Sequence, residues 1–145
     1  MIGLAYLVAE DMLDLLNEKL GEKAVVRFYS GTRPAFAHDA IPSATFLGQV
    51  AFSELPFQHA ILLNGAVVLY LNNLPAPGTV INTGVADFFR AYGGDGTDQG
   101  PNSGQVIMDG SVSNMDGSGD CKLLDTSLIA GQQINLMSWQ ISLPL

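Results

Sequence analysis

The sequence predicts a mainly β protein: an antiparallel β-sandwich, jelly-roll-like, preceded by one N-terminal amphipathic α-helix. Three observations carry that expectation. Beyond residue 21, short β-branched and aromatic runs recur about every 8–12 residues between Gly-rich turns, the spacing of sandwiches and barrels. Residues 2–20 instead repeat their apolar positions every three to four residues, the period of a helix. The 145 residues suit one domain with a sizeable core, with the helix in 1–21 and the sandwich in 22–145 of one globular unit. The chain has no internal repeat and no linker composition.

Within 2–20, Leu4, Leu7, Val8, Met12, Leu15, Leu16 and Leu20 gather near one face, and Glu10, Asp11, Asp14, Asn17 and Glu18 fall largely elsewhere. Gly21 is placed to end the helix and Lys19 to complement its dipole. Such a stripe must be buried, either on its own domain or on a neighbouring subunit as a helix laid in a groove. Leu4, Leu7, Val8, Met12, Leu15 and Leu16 are therefore the interaction candidates. A strand follows over 24–30, then a Pro-containing connection, then a strand over 44–53 on which Phe46, Val50 and Phe52 share a face. Asn64 and Gly65 separate two apolar runs in 60–73, a hairpin signal because a type I′ turn needs positive φ at both central residues. Residues 74–84 suit a loop or short edge strand, and 85–92 a strand. The segment 93–104, "GGDGTDQGPNSG", contains only turn-forming residues and reads as a long exposed loop. Residues 105–113 suit a strand with a turn at Asp109 and Gly110. In the last strand Asn135, Met137, Trp139, Ile141 and Leu143 form the inner face.

Composition excludes several function classes. Lys and Arg total 6 against 14 Asp and Glu, a net charge of −8. Lys19, Lys23, Arg27, Arg33, Arg90 and Lys122 are scattered, and a nucleic-acid surface needs clustered cations. No apolar run reaches the ~20 residues of a membrane helix. The start lacks the basic region and cleavage site of a signal peptide, so an intracellular product, or one assembled inside a cell, is expected. Cys121 is the single cysteine and suits inert core packing. His38 and His59 with one distant Cys do not make a zinc spacing. No G-x-S-x-G elbow occurs, and "GGDGTDQG" lacks the Lys and following helix of a phosphate loop. No cofactor is expected. The aromatic residues fall mostly in predicted strands and read as core rather than as a sugar-stacking platform.

Two short stretches merit a site reading. Counted as a twelve-residue calcium loop, residues 114–125 place Asn114, Asp116, Ser118 and Asp125 at positions 1, 3, 5 and 12. Against that, position 12 lacks the longer Glu, Lys122 is close by, and the flanks read as strands; a β-turn accounts for the same residues. In "FYSGTRPAF" (28–36), Gly31, Arg33 and Pro34 form a structural corner. Pro34 disfavours helical geometry at Arg33, so no helix N-terminus opens there for an anion. Arg33 is expected to pin the exit by bonding carbonyls or a carboxylate.

Two segments taken together resemble small virion structural proteins of tailed bacteriophages. "VRFYSGTRPAFAHDAIPSATFLGQVAFSELPF" (26–57) is similar to that family's strand leading into Y-x-G-T-R-P-A and then a-T-x-L. "GVADFFRAY" (84–92), "VIMDGSVS" (106–113) and "DTSLIAGQQINLMSWQISLPL" (125–145) resemble its A-x-x-F-R, x-G-S-V and closing t-x-I-x-A-G motifs. The resemblance runs from about Leu4 to Pro144; the 93–104 segment and the "NMDGSGD" turn depart from it. It implies a non-enzymatic β-sandwich component of the virion, assembled in the bacterial cytoplasm, most simply a capsid cement or decoration protein. The implied partners are the major capsid protein or other virion proteins, with homo-oligomers and without nucleic acid or membrane. A neck or tail component, such as a head-tail adaptor or baseplate protein, is the alternative. A small carbohydrate- or calcium-binding module using the 93–104 and 114–125 loops is the third.

Overall fold

Helix α1 (Tyr6–Leu20) begins later than the expected 2–20: Ala5, at the N-cap, is extended and has no side chain to bond the free backbone N–H groups. It ends as expected. Gly21 takes φ 74° and its N–H closes on the Asn17 carbonyl. The computed structural model describes residues 3–41, 44–93 and 105–145; the loop expected over 93–104 lies, beyond Gly93, outside the described residues.

Twelve strands follow among the described residues: β1 (Val25–Ser30), β2 (Thr45–Ala51), β3 (Ile61–Leu63), β4 (Ala66–Tyr70), β5 (Gly78–Thr79), β6 (Gly84–Val85), β7 (Phe88–Gly93), β8 (Gln105–Ser113), β9 (Cys121–Leu123), β10 (Ser127–Leu128), β11 (Gln133–Ile134) and β12 (Leu136–Pro144). Eight of them form one sheet in the order β2-β1-β7-β8-β9-β12-β4-β3. Neighbours run antiparallel except β8 and β9, which are parallel. The remaining four make two short ladders, β6 with β10 and β5 with β11.

The large sheet curls. Five strand spacings separate β2 from β12, about 24 Å if the sheet were flat. Yet Phe52, one residue beyond β2, has its ring centroid 6.0 Å from that of Trp139 on β12. Phe57 and Phe89 meet the same indole at 4.6 and 5.7 Å. Opposing inner faces thus close on a core of Val26, Phe28, Leu47, Leu69 and Leu123 around Trp139, a sandwich-like arrangement preceded by one helix.

Asn64 (φ 49°) and Gly65 (φ 78°) make the expected β3–β4 hairpin, with Leu63 opposite Ala66. Two of the three bulges in the large sheet change the inner faces expected for β2 and β12. Opposite Phe28 and Tyr29 the partner steps from Gly48 to Phe46, so Leu47 is the extra residue. An extra residue switches the two-residue alternation; Leu47, Val50 and Phe52 turn inward, and Phe46 packs half-buried against Tyr29 instead of joining them. On β12 the register skips Met137 between Leu136 and Ser138. Ile134 and Leu136 are therefore buried before the skip and Trp139 after it. The expected inner face holds from Trp139 onward, with Ile141 and Leu143 against the core. Strand β8 has no turn at Asp109 and Gly110. Gly110 stays in the ladder because the Phe89 ring lies over it, where a Cβ would be 2.6 Å from Cε1. The strand expected over 85–92 is divided: Ala86 bonds Thr126 and Asp87 bonds Tyr29 between β6 and β7.

Candidate functional site

Helix α1 is held by its polar side. Asn17 is buried, and its amide works like a strand edge: Nδ2 donates to the Phe57 carbonyl at 2.8 Å and Oδ1 accepts the Phe57 N–H at 3.1 Å. One turn earlier, Asp14 accepts the Ala60 N–H at 2.9 Å and meets His59 Nδ1 at 2.8 Å. These contacts fix the rotation of the helix. Ala9, Leu13 and Leu20 then face the core together with Asn17.

The predicted stripe is consequently turned outward. Leu7 is 59% exposed, Val8 49%, Met12 48% and Leu15 52%; Leu4 and Leu16 are half-buried, and Leu16 packs against the core. Of the two burials that the stripe left open, packing on its own domain is made mainly by other residues. At 100° per residue, Val8, Met12 and Leu15 fall within one quadrant of the helix, and Asp11 and Glu18 border it on one side, both exposed. The result is an apolar strip with an acidic margin and no cover from the described residues. The sequence missed the anchoring because Asp14 and Asn17 carry the composition of a solvated face; only the unpaired backbone at Phe57 and Ala60 makes them inward.

A second exposed apolar surface lies at one edge of the sheet. Ile61, Leu62 and Leu63 of β3 are all exposed, and no described strand pairs with the outer side of β3. The opposite edge, β2, is covered: Ile81 and Asn82 donate their N–H groups to Leu47, Asn82 Nδ2 donates to Phe46, and Gly48 bridges Val80.

The calcium-loop residues serve turns. Asn114 Oδ1 accepts the N–H groups of Asp116 and Gly117, both at 3.1 Å, and Asp125 Oδ1 accepts that of Ser127 at 2.9 Å. Strand β9 separates Asn114 from Asp125. Ser118 is exposed, and Ser113 Oγ rather than Ser118 bonds the Gly119 N–H at 2.8 Å. Asp120, not singled out by the sequence, fastens β8 through Ser111 N–H at 3.0 Å and Ser111 Oγ at 3.1 Å.

At the corner, Gly31 has φ 110°, a conformation glycine accepts and other residues resist. Its N–H donates to Asp87 Oδ2 at 2.7 Å. Arg33 is exposed and has no hydrogen-bond or ion-pair partner among the described residues; there Asp87, rather than the expected Arg33, pins the corner. The segment carrying Asp87 comes alongside β1 only in the fold, so spacing in sequence gives no hint of it. Cys121 is fully buried; desolvation, and then the Asp120 charge, push its thiol well above the ordinary range, which leaves little thiolate for chemistry. Arg27 and Arg90, scattered in sequence, are direct cross-strand partners on β1 and β7.

No family model, curated protein or solved structure matches the chain. No helix among the described residues is long and apolar enough to cross a membrane.

Proposed function

We propose that this chain is a non-enzymatic structural subunit of a tailed-bacteriophage particle, a cement or decoration protein that docks on the major capsid protein through the outward face of α1. The observation that carries the reading is the exposed strip of Val8, Met12 and Leu15 on a helix whose rotation is already fixed by Asn17 and Asp14. A helix held in place with its apolar side outward needs no reordering to bind, which lowers the cost of association. The acidic margin of Asp11 and Glu18, on a chain of net charge −8, favours a groove with basic edges on a different protein. A second copy would present the same acidic margin and be repelled at this face. Self-association, if the subunit forms homo-oligomers, falls instead to the β3 edge.

The motif order from 26 to 145 supports the virion setting. The neck or tail setting uses the same helix face and differs in location: a single ring rather than copies spread over the shell. No observation favours the calcium reading: Asn114 Oδ1 and Asp125 Oδ1 each accept turn N–H groups and strand β9 lies between the two residues, while the 93–104 loop of the carbohydrate reading lies, beyond Gly93, outside the described residues.

The test is cryo-EM and mass spectrometry of purified particles, with a Val8→Asp, Leu15→Asp double variant. Wild type is expected on the shell, and the variant is expected to fold normally and be lost from particles. Absence of the wild type from particles, or full retention of the folded variant, overturns the reading.

A further inference from the structure

Arg27, Arg90 and Asp109 lie side by side on β1, β7 and β8, and residues opposed in an antiparallel ladder project to the same face. Arg27 is fully buried, stacks over the Tyr92 ring at 4.2 Å and donates from Nε to Gln49 Oε1 at 3.1 Å. Arg90 is 4% exposed, and its Nε and Nη2 are buried without a hydrogen-bond partner. No described carboxylate pairs with it within 4.0 Å. Its ladder neighbour Asp109 leaves a buried Oδ2 equally unbonded, so these two charges do not satisfy one another. A buried guanidinium without a counter-charge is strongly disfavoured, and Arg27 directly opposite adds like-charge repulsion.

A cleft of about 530 Å³, lined by Arg90, opens on this face, a volume within the range of small-molecule sites. Tyr29 and Tyr92 also line it, with their hydroxyls 3.5 Å apart. Burial, then the Tyr92 hydroxyl, hold the Tyr29 phenol well above its ordinary range, so it remains a neutral hydrogen-bond donor. Phe46 and Ile41 give an apolar wall. His38 and Asp39 also line it, and the Asp39 carboxylate is tied back to its own loop through the Phe36 N–H at 3.2 Å.

We propose that this cleft binds a small organic carboxylate. Its two oxygens face the Arg90 fork, whose spacing suits a carboxylate. A tyrosyl hydroxyl supplies a further hydrogen bond, and the apolar body of the anion rests against Phe46 and Ile41. The site is independent of the α1 face and does not depend on the docking reading.

The test is thermal unfolding in acetate, succinate and benzoate against chloride at equal ionic strength. At ten times its dissociation constant, a bound carboxylate is expected to raise the melting temperature by roughly 4 °C. Arg90→Met, which removes the charge and keeps the length, is expected to melt no lower than wild type without ligand and to lose the response. Tyr92→Phe, which keeps the ring beneath Arg27, is expected to respond more weakly. If Arg90→Met does not fold, titration of the wild type followed at the Arg90 Nε–H NMR signal decides: a saturable shift is expected. No stabilisation of wild type by any of the three carboxylates overturns the proposal. So does an equal response in Arg90→Met, or an Arg90 signal that stays fixed.

Discussion

Asp87 holds three backbone positions at once. Its carboxylate takes the Gly31 N–H, its own N–H bonds Tyr29, and its carbonyl takes the Val112 N–H at 3.4 Å. One residue, through one side-chain and two backbone bonds, thereby ties the end of β1 to the start of β7 and to β8. Asp87→Ala is expected to lower stability by about 1 kcal/mol, because the lost bond has a charged acceptor but is exposed to water. Arg33→Ala is expected to stay within about 0.5 kcal/mol of wild type, as for exposed residues without partners. Urea denaturation of both variants checks this, and a larger loss in Arg33→Ala would restore the arginine pin. The end of β1 at Ser30, before Gly31, was legible from residue types. Its fastener was not, since Gly31 and Asp87 are 56 positions apart.

At the scale of the element, α1 shows how periodicity names a face without saying where the face points. The repeat in Leu4, Leu7, Val8, Met12, Leu15 and Leu16 is real, and it covers an arc beside the one that Ala9, Leu13 and Leu20 bury. Rotation was decided by hydrogen bonds. Burying Asn17 satisfies both the N–H and the carbonyl of Phe57, and leaving them unpaired would cost more than exposing a few methyl groups. Asn17→Ala is therefore expected to destabilise the protein by about 3 kcal/mol and to speed hydrogen exchange at Phe57 and along α1. Loss below about 1 kcal/mol, the size of an ordinary surface contact, would mean that packing alone sets the rotation. The strands were easier to read. The β3–β4 hairpin followed from Asn64 and Gly65, whereas the inner faces of β2 and β12 were displaced by one residue at Leu47 and Met137. A bulge leaves no mark in a composition of alternating apolar residues, so the sequence could name those strands but not their facing throughout.

For the whole molecule, class and order were legible because turn residues and β-branched runs are local signals. Closure of the sheet was not, because it depends on Trp139 meeting Phe52, Phe57 and Phe89 from distant strands. The pairing of Arg27 with Arg90 has the same origin: a cross-strand register places two arginines together that lie far apart in the chain. The exposed β3 strand belongs to this scale too. Leu62→Lys puts a charge on the bare edge, a common protection against edge pairing. It is expected to leave the melting temperature unchanged and to reduce light scattering as the protein is concentrated. Unchanged scattering would show that β3 takes no part in self-association.

The unequal edges also set a limit on stoichiometry. Fibre growth by strand addition needs two receptive sides on every unit, one to join and one to be joined. Here the chain closes the β2 side itself through Ile81 and Asn82, so among the described strands of the large sheet a subunit that accepts a strand at β3 has no second edge to offer a third. Two copies meeting at that edge would satisfy each other across a two-fold axis and stop. Pairing at the β3 edge of the large sheet would add one neighbour and then stop.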